Sequence, residues 1–104
     1  MGLQWHDEAW EDYLYWQEND KRMLKKINAF LREISRTPFE GTGKPEPLKN
    51  DPDGSWSRRI NEKDRLVYYI NDDSVMIKQC KDIMMTSNNI VGRYRCAICG
   101  RLYL

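Results

Sequence analysis

Two stretches of this chain carry side chains that could move a proton next to a phosphate. Lys44-Pro45-Glu46-Pro47-Leu48-Lys49 holds a carboxylate between two prolines with amines nearby, and Trp56-Ser57-Arg58-Arg59-Ile60 is followed shortly by Arg65. A carboxylate beside fixed cations suits transesterification of RNA. The base takes the proton of a ribose 2′-hydroxyl, that oxygen attacks the adjacent phosphorus, and the cations stabilise charge gathering on the phosphoryl oxygens. The nucleophile comes from the substrate, so neither a metal nor a nucleophilic side chain is required. Side chains alternate along a strand, so if Ile60 points to the core, Arg59 points onto the open sheet face. Lys44, Lys49, Arg58 and Arg59 are the candidate phosphate contacts. The plainer alternative is a polar loop followed by a solvated, Arg-rich strand.

Other chemistries lose their usual supports. The one histidine, His6, sits at a strand-to-helix junction and reads as a capping or packing residue. There is no Gly-rich phosphate loop and no Ser-His or Cys-His pair at a recognisable spacing, which argues against nucleotide hydrolysis and protease chemistry. Trp56, Tyr68 and Tyr69 could stack on unpaired bases or fill a core. The cysteines Cys80, Cys96 and Cys99 cannot staple the whole domain. Cys96-Ala97-Ile98-Cys99 is half of a zinc site that only Cys80 or another chain could complete, so no metal or other cofactor is assigned.

The elements that must position these residues follow from pattern. At 104 residues the chain has room for one small domain. Leu3 to Trp5 predicts a short strand, and Asp7 an N-cap for a helix through Trp10, Tyr13, Leu14 and Gln17. Asp20 caps a second helix whose apolar positions Met23, Leu24, Ile27, Phe30, Leu31 and Ile34 keep helical spacing, and Thr37-Pro38 stops it. Its other face carries Lys21, Arg22, Lys25, Lys26, Arg32 and Arg36, read as a solvated stripe, with anion binding as the alternative. Phe39 to Ser55, rich in Gly and Pro, predicts a stiffened loop with at most a short edge strand around Leu48.

Ser55 to Asn61, Arg65 to Asn71 and Ser74 to Lys81 read as strands joined by links short enough for hairpins. The expectation is an α+β fold: strand, two helices, then an antiparallel meander, with the helix pair on one sheet face. Residues 1–20 hold six acids and no bases, so the net charge of +1 hides a basic remainder. No run approaches the roughly 18 apolar residues of a membrane span, and the chain reads as soluble and cytoplasmic. Beyond Lys81 the pattern decays, so residues 82–104 read as a tail.

Residues 1–80 closely resemble the YoeB/Txe branch of the RelE superfamily of toxins from bacterial toxin-antitoxin modules. The collinear motifs are Trp10 to Gln17, Asp20-Lys21-Arg22, Lys25 to Asn28, Thr37-Pro38-Phe39-Glu40-Gly41, Gly43 to Lys49, Trp56 to Ile60 and Arg65-Leu66-Val67-Tyr68. The resemblance implies a microbial-ribonuclease-type fold and an endoribonuclease that cuts messenger RNA in the ribosomal A site. It also implies an antitoxin of the YefM/Phd kind and homodimers. Carried over by position, Glu46 is the general base, Arg65 the cation that stabilises the transition state, and Arg59 and Lys49 supporting phosphate contacts.

The departure is at the end of the last strand, where the family has a general-acid histidine and then a tyrosine. Here Cys80-Lys81 run into Asp82-Ile83-Met84, so Ile83 stands at the acid position and Met84 at the aromatic one. Losing a general acid typically costs on the order of 10² to 10⁴ in rate. A typical family ending, Cys-Lys-Gly-His-Tyr-Asp-Asp, can be written TGT AAA GGA CAT TAT GAT GAC. Deleting one G gives TGT AAA GAC ATT ATG ATG AC, which reads as Cys80 to Met85 and into Thr86. The expectation is a toxin domain over residues 1–81 and an out-of-frame extension over 82–104. Two readings follow: an impaired nuclease, or a catalytically dead module that still binds antitoxin and ribosome.

Overall fold

The structure, a computed structural model, describes residues 2–49, 51–82, 84–86 and 89–92. In chain order the elements are β1 (Gly2–Trp5), α1 (Asp7–Asn19), α2 (Lys21–Ile34), β2 (Glu46–Pro47), β3 (Trp56–Arg59), β4 (Arg65–Asn71), β5 (Ser74–Gln79), β6 (Met84–Thr86) and β7 (Asn89–Gly92). Both helices form where apolar residues recur at helical spacing. Asp20 makes the sharp junction between them, its carboxylate accepting the backbone N–H groups of Arg22 (3.1 Å) and Met23 (3.3 Å). α1 starts differently from the expectation. His6, not Asp7, takes the N-cap position and makes no side-chain cap. The reason is that the His6 N–H donates to the Ile77 carbonyl (2.9 Å), so this residue still belongs to the β1–β5 ladder and the helix begins one residue later.

The main sheet has five strands in the order β1-β5-β4-β3-β2. β5, β4, β3 and β2 run antiparallel in turn, but β1 lies parallel to β5, Gly2 opposite Ser74 and Trp5 opposite Ile77. The sheet is therefore mixed. Ile27, Phe30, Leu31 and Ile34 of α2, with Ala9 and Trp16 of α1, close over Leu66, Tyr68, Val75 and Ile77. Each such aliphatic side chain contributes about 1.5–3 kcal/mol when fully buried. The core also absorbs polar groups in pairs: Trp16 Nε1 donates to the Cys80 carbonyl (2.9 Å), and the Cys80 N–H donates to Asp12 Oδ2 (3.1 Å).

Two departures affect the region of interest. The short edge strand falls on Glu46 and Pro47, not around Leu48, whose N–H instead reaches the Ser55 carbonyl (2.9 Å). Beyond residue 82, where the sequence reads as a patternless tail, β6 and β7 pair as an antiparallel two-stranded sheet separate from the main one. No helix of the described residues is long and apolar enough to cross a membrane.

Candidate functional site

Register assembles the site. Glu46 pairs with Ser57, Ser57 with Val67, and Arg59 with Arg65. Cross-strand partners share a face, as do residues two apart, so Glu46, Ser57, Arg59, Arg65 and Val67 all project from one side of the sheet. The helices cover the other side through Leu66 and Tyr68. Ser57, Val67 and its partner Gln79, on the same side, are buried. Glu46 and Arg59 stand exposed at the rim, with Arg65 half-buried between them and the turn before β4.

The charges on this rim are largely unspent. Among the described residues, Glu46, Arg59, Lys44 and Lys49 make no side-chain hydrogen bond or ion pair; the ion pairs found use Arg58, Lys78 and Lys81. Arg65 is anchored on one side only, Nη1 donating to the carbonyls of Asn61 (2.6 Å) and Asp64 (3.1 Å). Its remaining N–H groups are open. Partial burial lowers the pKa of this guanidinium below its ordinary value, with Arg59 repelling it while Glu46 and Asp64 counteract both effects. Two guanidiniums and a carboxylate thus share a field without cancelling it.

Backbone geometry brings Glu46 to this rim. Gly43 has φ 81° and Lys44 φ 50°. A Cβ at Gly43 would meet Phe30 at 2.7 Å and Arg58 at 3.1 Å, so the turn requires glycine. The Gly43 carbonyl accepts the Arg59 N–H at 2.7 Å, tying the approach to β2 directly to the strand that carries Arg59.

Arg58 is not on this surface, contrary to its expected phosphate-binding role. Its side chain is fully buried and every N–H donor is used inside the fold. Nε donates to the Tyr68 hydroxyl (3.2 Å), Nη1 to Glu33 Oε1 and the Thr42 carbonyl (3.2 Å), and Nη2 to the carbonyls of Thr37 and Glu40 (2.9 Å each). Tyr68, read as either a base-stacking or a core residue, is core, with its hydroxyl donating to the Pro38 carbonyl (2.6 Å). Its pKa is raised by burial. Trp56 packs against Phe39, ring centroids 4.8 Å apart. Tyr69 shares its hydroxyl with His6 Nε2 at 3.4 Å.

Sequence reasoning missed the residues that anchor the chain as it leaves β5. Asp64, almost wholly buried, accepts the Asp82 N–H at Oδ1 (2.8 Å) and Asn61 Nδ2 at Oδ2 (2.9 Å). Gln79 Nε2 donates to the Asp82 carbonyl, and Lys81 Nζ pairs with Asp82 Oδ2 at 2.9 Å. The available signal was the polar turn Asn61 to Asp64 immediately before Arg65. Ile83, Cys96 and Cys99 lie outside the described residues.

The loop after Lys49 is latched across β4 to β5. Lys78 Nζ reaches Asp53 Oδ2 (3.1 Å), Ser55 Oγ (3.3 Å) and Asp51 Oδ1 (3.6 Å). Burial works to raise the Asp51 carboxyl, but hydrogen bonds from Ser55 and Asp53 and the charge of Lys78 outweigh it, leaving the pKa below its ordinary value. A depressed folded pKa stabilises the domain above the unfolded value and loses that contribution as pH falls through the folded one. Asp51→Asn should therefore lower the urea midpoint at neutral pH. The gap from the parent should close on acidification below about pH 4; a gap that stays constant from pH 7 to pH 2 would remove the ionic contribution.

Residues 5–83 match the family described as the YoeB-like toxin of bacterial type II toxin-antitoxin systems. Toxin YoeB of Escherichia coli K12 is 59% identical over 81 residues, 78% of this chain and 96% of that protein. Among solved structures, a YoeB dimer from Staphylococcus aureus is 48% identical with a TM-score of 0.74, covering 78% of this chain and 94% of that one. A YoeB-YefM complex from the same organism is 46% identical with a TM-score of 0.73 and the same coverage. With a family match over most of its length and the mixed-sheet α+β fold of its solved relatives, the chain belongs to the YoeB-like toxins of bacterial type II toxin-antitoxin systems.

Proposed function

We propose that this chain is a cytoplasmic, ribosome-dependent messenger RNA endoribonuclease of the YoeB kind, attenuated by its own C-terminal sequence. The observation that carries the reading is the rim of unspent charge: one carboxylate and two guanidiniums on one sheet face, none of them ion-paired to another. Glu46 takes the proton from the ribose 2′-hydroxyl. The open N–H groups of Arg65 hold the phosphoryl oxygens as charge builds on them, and Arg59, Lys49 and Lys44 grip neighbouring phosphates. No metal enters these steps.

Attenuation follows from Ile83, which has no proton to give the departing 5′-oxygen. Three observations support a boundary between residues 81 and 84. The family match stops at residue 83. Asp82 has φ 54°, a conformation that favours glycine, and glycine stands at that place in the typical family ending. β6 and β7 form their own sheet. Partners follow the relatives: a YefM-type antitoxin, as in the S. aureus complex, and a second copy, as in the S. aureus dimer. Leu3, Trp10, Leu14 and Phe39 are large apolar side chains left exposed and available for such contacts.

The test is primer extension on messenger RNA held in ribosomes, using a version with Asp82→Gly, Ile83→His and Met84→Tyr that stops after position 84. Glu46→Gln in that background should lower cleavage on the order of 10²-fold or more, with antitoxin binding intact. Unchanged cleavage would remove Glu46 as base. The second reading, a catalytically dead module that titrates antitoxin, is favoured by Ile83 and predicts tight antitoxin binding with no cut product from the unaltered chain.

A further inference from the structure

The outer face of α2 is charged in a way that costs the helix stability. Lys21, Arg22, Lys25, Lys26 and Arg32 are all exposed on it, and Arg36 continues the row just past its end. At 100° per residue the five helical cations fall within an arc of about 140°, opposite Ile27, Phe30, Leu31 and Ile34. Three pairs within α2, Lys21 with Lys25, Arg22 with Lys25 and Arg22 with Lys26, stand three or four residues apart, as Arg32 does from Arg36. Like charges at that spacing repel. Lys21 and Arg22 also oppose the positive end of the helix dipole.

Nothing among the described residues offsets this. None of the six cations makes an ion pair. Glu33, the one carboxylate of α2, is drawn into Arg58 and into the Thr42 N–H (2.7 Å) and hydroxyl (3.0 Å), so it is not available to them. A face serving only solvation would gain from alternating signs. This one breaks a local rule along its whole length, and such breaks mark function more often than accident.

We propose that α2 is a docking rail for the phosphate backbone of double-helical RNA, separate from the Glu46–Arg65 rim. Two features favour RNA over an acidic protein segment. The face is convex and about 20 Å long, and its one exposed apolar residue is Ala29. Helical peptides need apolar anchors in a groove, whereas phosphate contacts need only cations in register. The rail also points away from the sheet, because the opposite side of α2 is buried against it. One molecule can therefore hold a structured RNA on its helical side while a single strand lies on the sheet side. The proposal rests on the reading of this chain as an RNA-acting protein, and its test needs no cleavage, so the two can fail separately.

The experiment is fluorescence anisotropy of the full chain with a labelled RNA duplex about two helical turns long, between about 50 and 200 mM salt. Lys25→Gln, Lys26→Gln and Arg32→Gln together should raise Kd on the order of 10²-fold near 0.1 M salt and flatten the log–log salt slope by about 3. Helix content by circular dichroism should hold and the Tm should stay equal or rise, since like-charge pairs are removed. Lys25→Gln and Arg32→Gln alone should each flatten the slope by about 1, which keeps the test sound if the triple variant misfolds. Unchanged Kd and slope would overturn the proposal. So would a loss seen only with Arg59→Gln and Arg65→Gln, which places duplex binding on the sheet face. Weakened binding of poly-glutamate with duplex binding unaltered would overturn it in favour of an acidic peptide.

Discussion

Asp82→Gly, Ile83→His and Met84→Tyr, with the chain ended after position 84, are expected to raise messenger RNA cleavage by on the order of 10² to 10⁴ over the unaltered chain. The gain has a specific origin. On the proposed reading, Glu46 of the unaltered chain still removes the 2′-proton and Arg65 still holds the phosphoryl oxygens, but the 5′-oxygen must leave as an unprotonated alkoxide or take a proton from water. A positioned imidazole removes that penalty. The structure prepares the place: Asp64 and Gln79 hold both backbone groups of Asp82, and Asp64 directly precedes Arg65. Glycine at position 82 also relieves the left-handed backbone there. Primer extension on ribosome-held messenger RNA checks the gain. Equal cutting by both versions would sink the assignment of position 83 as proton donor, and Asp64→Asn in the restored version should return part of the loss.

Arg58→Ala is expected to destabilise the domain by on the order of 3–5 kcal/mol, from emptying the place of a fully buried side chain and stranding the carbonyls it satisfied, with the partly exposed Glu33 adding little. A small domain holds only about 5–15 kcal/mol in total, so the loss removes a large share of its stability and the Tm should fall steeply. The lost contacts are concentrated. Carbonyls of Thr37, Glu40 and Thr42, the Tyr68 hydroxyl and the Glu33 carboxylate all converge on one guanidinium. Arg58→Lys should rescue little, since an ammonium offers three donors from one point and cannot replace a five-donor fork. Arg59→Ala, one residue along and exposed, should shift the urea midpoint by less than about 0.5 kcal/mol equivalent. Matching losses for the two arginines in urea denaturation would contradict the clamp.

The contrast between these two arginines shows how much the sequence could reveal. Strand alternation, used to send Arg59 outward from Ile60, also sends Arg58 inward, two residues from the same core isoleucine. The inference was available, but a buried arginine is improbable until its acceptors are known, and these come from a loop more than a dozen residues earlier. α2 and its Asp20 cap were legible because both rest on local spacing. The gathering of Glu46, Arg59 and Arg65 on one face needed the pairing register of three strands. So did the parallel placement of β1 beside β5, which no local pattern encodes. Asp64 escaped notice because an acid in a turn is ordinary; its partner, the N–H of Asp82, is distant in sequence.

That parallel pairing constrains how the protein is made. Residues 2–5 emerge from the ribosome well before residues 74–77, yet β5 stands between β1 and β4 and alone joins β1 to the rest of the sheet. While β5 is still being synthesised, β1 has no partner and β4 presents an open edge. Cys80 is likewise needed before Asp12 and Trp16 complete their buried hydrogen bonds. Long-range pairing of this kind forms late. The nascent chain therefore cannot close its sheet until nearly all of the toxin domain has left the ribosome, and a chain cut short before Ser74 lacks the strand that links β1 to β4. Synthesis itself imposes a delay before the fold that carries Glu46 and Arg65 is complete, during which an antitoxin can already be present.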